Sequence, residues 1–170
     1  GGNIHEFIRR ANVKNTQVSP AQEVDEVLFS SLDLPESLKT TIARHGYNNL
    51  TPIQVQGIPA IRAGKDVIGI ANTGTGKTAA FLIPLVENIL KDFNYKALII
   101  SPTRELALQT RDELRKFSGN MPIFSTLCIG QSSMQIQVSG LRHNPHVVVG
   151  TPGRLKDLIN RGILKLDKFK

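Results

Sequence analysis

The chain has 170 residues, 40% hydrophobic and 21% charged, a one-domain length able to bury roughly 70% of its unfolded surface. Its 21 Lys and Arg outweigh 14 Asp and Glu, giving a net charge of +7 and a pI near 9.8, which points to an acidic partner, nucleic acid first. No apolar run approaches the ~20 residues that span a membrane, the lone Cys128 excludes an internal disulfide, and 5% aromatics without tryptophan argue against a face of stacked rings.

Residues 1–27 are polar and weakly patterned, and read as an N-terminal extension to a domain over 28–170. In "DLPESLKTTIARHG", Asp33 is the N-cap candidate, Pro35 sits in the first turn, Leu38 and Ile42 share a face, and Gly46 is the stop. "TPIQVQGIPAIRAG" repeats that logic with Thr51, Pro52 and Gly64. The period then changes. "DVIGIA" reads as a buried strand, followed by the helix "GKTAAFLIPLVENILKD". Three further strand–helix pairs follow: "KALIIS" with "TRELALQTRDELRKFS", "IFSTLCI" with "SMQIQVSGLRH", and "HVVVG" with "PGRLKDLINRG". Cys128, inside an apolar strand, is expected to be a buried structural thiol.

Four alternations of short, β-branched, apolar strands with helices predict an α/β fold, a parallel sheet covered by helices on both faces. Right-handed crossovers place the loops after the strands along one edge, and three loops with chemistry fall there. "ANTGTGKT", residues 71–78, departs from the phosphate-loop pattern only at Ala71. Its glycines let the backbone approach a ligand, Lys77 can reach the β- and γ-phosphates, and the Thr78 hydroxyl can ligate Mg²⁺. In "PTRELALQ", Arg104 stands at a helix start, where free N–H groups also favour phosphate. The alternative is that Arg104 and Glu105 only cap and solvate that turn. "TPGRL" repeats the arrangement with Thr151, Gly153 and Arg154. Upstream, the Gln54 amide offers the donor and acceptor that the N7/N6 edge of adenine wants, and Phe29 can stack on a purine. Guanine presents an acceptor where adenine has a donor, so ATP is expected to be preferred over GTP by about 1–3 kcal/mol.

Phe29, "GYNNLTPIQ", "ANTGTGKT", "PTRELALQ" and "TPGRL" stand in the order and spacing of the Q motif and motifs I, Ia and Ib, so the chain resembles the DEAD-box family of ATP-dependent RNA helicases. The resemblance implies a three-layer P-loop NTPase fold, the RecA-like first lobe, that binds ATP with Mg²⁺ and grips RNA by sugar and phosphate. It implies that Phe29, Tyr47, Gln54 and the loop residues Thr73, Gly74, Thr75, Gly76, Lys77 and Thr78 hold the nucleotide, with Lys77 and Thr78 in the catalytic role and Thr78 on the metal. It implies that Pro102, Thr103, Arg104, Gly130, Thr151, Gly153 and Arg154 lie along the RNA strand. Asn72 replaces a commoner glutamine, a minor change in a loop that works through its backbone. Gln131 stands where the family has the second glycine of a pair, which puts the contact at Gly130 in question. The chain ends at "KLDKFK", before the place of the Asp-Glu-Ala-Asp motif. It is therefore expected to be an incomplete first lobe, inactive alone and needing the second RecA-like lobe, in a cytoplasmic or nuclear protein not bound to membranes. An ATP- or RNA-binding module without turnover would use the same residues. A small-molecule kinase would leave the Q motif and "TPGRL" unexplained.

Overall fold

The computed structural model describes residues 28–50, 52–63 and 77–169. The strand expected at "DVIGIA", residues 71–76 of the phosphate loop, Thr51, Gly64 and the N-terminal extension lie outside those residues, as do the side chains of Phe29 and Lys77.

A short 3₁₀ turn at Phe29–Ser31 leads into α1 (Glu36–Arg44). Leu38 and Ile42, four apart, are buried as their spacing predicts, and Gly46 (φ +80°) turns the chain beyond the helix end. Asp33 is not the N-cap. Proline disfavours helical backbone in the residue before it, so the helix cannot reach back through Leu34. Pro35 takes the capping position, and its carbonyl accepts from Leu38 and Lys39 N–H at 3.0 Å each. The Asp33 carbonyl accepts from Arg62 Nη2 instead, at 2.7 Å.

α2 (Pro52–Arg62) begins at the expected proline, whose missing N–H costs nothing in a first turn. α3 (Lys77–Lys91) leaves the phosphate loop and is buried over Leu82–Glu87 without a break, as befits a helix packed between other helices and a sheet. Then come β1 (Ala97–Ile100), α4 (Arg104–Ser118), β2 (Ser125–Cys128), α5 (Met134–Arg142), β3 (Val147–Gly150) and α6 (Pro152–Asn160). A 3₁₀ turn at Leu166–Lys168 follows.

Among the described residues the sheet is parallel with order β1–β3–β2. β3 is central and its four residues are all buried, which explains its uninterrupted valines. Its side chains alternate between two cores. Val147 and Val149 pack with Leu82, Val86, Ala107, Leu114 and Phe117 of α3 and α4, and this core extends to α1 and α2. Val148 packs on the opposite face with Cys128, Leu155 and Leu158, joined by Met134, Val138 and Leu141 of α5. The three-layer arrangement expected from the sequence is therefore present, with α1–α4 on one face and α5 and α6 on the other. No helix among the described residues is long and apolar enough to cross a membrane.

Candidate nucleic-acid interface

The register brings the three strand ends level. Ile100 and Cys128 both pair with Gly150, and the ladder runs one step further through Ser101 N–H to Gly150 O (2.8 Å) and Thr151 N–H to Cys128 O (3.0 Å). The loops after β1, β2 and β3 leave side by side and open α4, α5 and α6, whose N-termini carry the positive ends of their dipoles. Thr103 caps α4 by accepting from Leu106 N–H at 3.2 Å, and Ser133 caps α5 by accepting from Ile136 N–H at 3.4 Å. Thr151 holds the cap position of α6 with no side-chain cap bond, so its hydroxyl is not spent on its own helix. Pro152, in the first position, has no N–H to satisfy there.

Two arginines stand on this edge. Arg104 Nη1 donates to Gln131 Oε1 at 2.9 Å. Arg154 Nη1 donates to Ser132 O at 3.2 Å and to Gln137 Oε1 at 2.9 Å. The loop from β2 into α5 thus touches both. Pro102 and Gly153 are exposed, and a Cβ added at Gly130 or Gly153 would meet nothing within 4 Å. All seven residues expected along the strand, Pro102, Thr103, Arg104, Gly130, Thr151, Gly153 and Arg154, lie in these loops or first helical turns.

Gly150 has a different role. A Cβ there would stand 2.6 Å from Leu155 Cδ2 and 2.7 Å from Cys128 O, so only glycine lets β3 run into the Thr151 turn between α6 and β2. Cys128 beside it is buried, and burial pushes its thiol up to about 11 against a smaller opposing pull from Arg154. That is the inert structural thiol expected from its apolar strand.

The residues expected to hold the nucleotide are described in part. Thr78 is half-buried in the first turn of α3. Gln54 is buried near the start of α2, at 1% exposure. Tyr47 packs its ring on Phe117 of α4 (centroids 5.4 Å apart) with its hydroxyl 3.4 Å from Glu113 Oε2. Burial first, and Glu113 second, raise the Tyr47 pKa. Sequence reasoning missed Gln137, whose Nε2 donates to Ile129 O at 2.8 Å while its Oε1 holds Arg154. The available signal was a glutamine on the inward, apolar side of α5, between Met134, Val138 and Leu141.

The model of the DEAD/DEAH box helicase family matches residues 51–170. An ATP-dependent RNA helicase CshA of Limosilactobacillus reuteri is 49% identical over 143 residues, and that of Bacillus subtilis is 46% identical over 147. These alignments cover 84% and 83% of this chain but only 29% of each relative's length. A DEAD box protein from the hyperthermophile Methanococcus jannaschii superposes with a TM-score of 0.78 at 37% identity, over 86% of this chain and 40% of that one. The parallel sheet with helices on both faces is thus the RecA-like fold of these proteins, and the chain belongs to the DEAD/DEAH box helicase family.

Proposed function

We propose that the protein is an ATP-dependent RNA helicase, and that residues 28–170 are the nucleotide- and RNA-gripping part of its first lobe, preceded by an extension over 1–27. The observation that carries this reading is the convergence of Arg104 and Arg154, with three helix N-termini, on one edge of the sheet. Such a surface suits successive phosphates of a single strand. It gives register and affinity with little base preference. The family membership and the printed names of the relatives support the same reading.

In this reading Lys77 would neutralise the β- and γ-phosphates, and Thr73–Gly76 would contribute to holding them. Lys77 and Thr78 form the first turn of α3, whose N–H groups have no partner within the helix, so the fit to an anionic group is good. Thr78 would ligate Mg²⁺. Among the described residues there is no cluster of three or more His, Cys, Asp or Glu that could hold a metal. Mg²⁺, when bound, offsets the charge that develops between the phosphates. Phe29, Tyr47 and Gln54 would recognise adenine. The acids that position the attacking water and the arginines of a second lobe would come from other parts of the protein.

RNA-stimulated phosphate release by the complete protein tests the proposal. Lys77→Ala should abolish turnover and leave RNA binding in place, and ATP should out-compete GTP. RNA binding without any turnover would replace the helicase reading by a binding module.

A further inference from the structure

Each edge arginine is held at one terminal nitrogen by a glutamine, Gln131 from the loop between β2 and α5 and Gln137 from α5 itself. Gln131 Oε1 holds Arg104 Nη1 and Gln137 Oε1 holds Arg154 Nη1, both at 2.9 Å. Gln137 is buried, and its Nε2 is committed to Ile129 O, so reversing the amide would set donor against donor and acceptor against acceptor. Gln131 stands at φ +56°, a left-handed conformation that side chains disfavour. Its bond to Arg104 is the only side-chain hydrogen bond it makes among the described residues.

The chemistry of the holders is selective. A carboxylate would bind either guanidinium more strongly, but it would also cancel the charge. A glutamine orients the cation and leaves its charge whole. Of the remaining guanidinium nitrogens, Arg104 Nη2 and both Nε and Nη2 of Arg154 have no hydrogen-bond partner among the described residues, and only Arg104 Nε is enclosed by protein without an acceptor.

We propose that Gln131 and Gln137 are positioning residues, neutral holders that fix Arg104 and Arg154 by one nitrogen each and so set the spacing of two phosphate contacts on one RNA strand. This rests on the RNA-gripping reading above. It also gives Gln131 a function in place of the family's glycine.

Binding of a fluorescein-labelled oligouridylate to the complete protein, over a range of salt, tests it. Gln131→Ala should weaken binding and lower the salt slope toward that of Arg104→Ala. The double variant Gln131→Ala/Arg104→Ala should bind within about twofold of Arg104→Ala, while Gln131→Ala/Arg154→Ala should multiply the two losses. Gln131→Glu keeps the acceptor and should still lower the slope, because it cancels charge. Tighter binding by Gln131→Ala, or a multiplied loss with Arg104→Ala, overturns the proposal. Gln137→Met should mirror this with Arg154, and if it fails to fold the exposed Gln131 cycle decides alone. Wild-type binding by both Arg104→Ala and Arg154→Ala would defeat the RNA reading of these loops and the proposal with it, a result distinct from a failed Gln131 cycle.

Discussion

Two groups of charges in this molecule are held in opposite ways. Between α2 and α3, Glu87 has no exposure, and its Oε1 accepts from Arg62 Nε (3.1 Å), Arg62 Nη2 (3.0 Å) and Lys91 Nζ (2.7 Å). Its Oε2 lies 2.9 Å from Arg62 Nε but outside hydrogen-bonding geometry. Here every charge is spent on another charge, and the product is rigidity: the helix leaving the phosphate loop is pinned to its neighbour. At the strand ends, Arg104 and Arg154 meet neutral acceptors, the amide and carbonyl oxygens and, for Arg154, the Met134 sulfur at 4.0 Å. Their positive charge is oriented but not neutralised. A cation paired with a carboxylate holds the fold together, whereas one held by a neutral acceptor remains available to an outside anion.

The strongest way to break the comparison is to remove Arg62. Arg62→Ala would leave Glu87 buried with Lys91 alone, and should destabilise the protein by about 2–4 kcal/mol. Thermal unfolding measures it, and RNA affinity well below the transition should not change. Gly150→Ala comes next. Its Cβ would overlap Leu155 and the Cys128 carbonyl, at about 1–3 kcal/mol. This variant should blur the distinction, lowering stability and also displacing the Thr151 turn that carries Arg154, so RNA affinity should fall with it.

Much of this was legible in the sequence because it is local. The strand–helix alternation, the Pro52 start of α2, the Gly46 stop and the buried Cys128 follow from period and composition within a few residues. The meeting of "PTRELALQ" and "TPGRL" on one edge follows from parallel topology. Asp33 was misplaced because the restriction imposed by Pro35 on its predecessor outweighs capping preference. Gln137 and Glu87 were not legible, since their partners Ile129, Arg154 and Arg62 lie 8, 17 and 25 positions away and packing alone brings them together. Gly150 looked like an ordinary strand end, because its constraint comes from Leu155 folding back over it.

Smaller effects sharpen the account. The Cys128 thiol stays protonated in the folded protein up to about pH 11, against an ordinary value of 9.0. The unfolded chain therefore releases this proton first, and its contribution to stability should be intact below pH 9 and fade between pH 9 and about 11. Denaturant titrations of wild type and Cys128→Ala across that range should converge as pH rises. Smallest is Asp157→Ala on α6, which breaks a surface ion pair with Arg161 and should cost no more than about 0.5 kcal/mol. A larger loss would mean that exposed carboxylate pairs also pin this fold.

The salt dependence of RNA binding tests the central claim most directly. In the complete protein, Arg104→Ala and Arg154→Ala should each reduce the slope of log affinity against log salt by about 0.7, the value for one phosphate contact on a single strand. Arg62→Ala, measured below its unfolding transition, should leave the slope at the wild-type value. Equal slopes for all three variants would mean that the neutral-held arginines do not meet phosphate, and would contradict the division of charges on which this account stands.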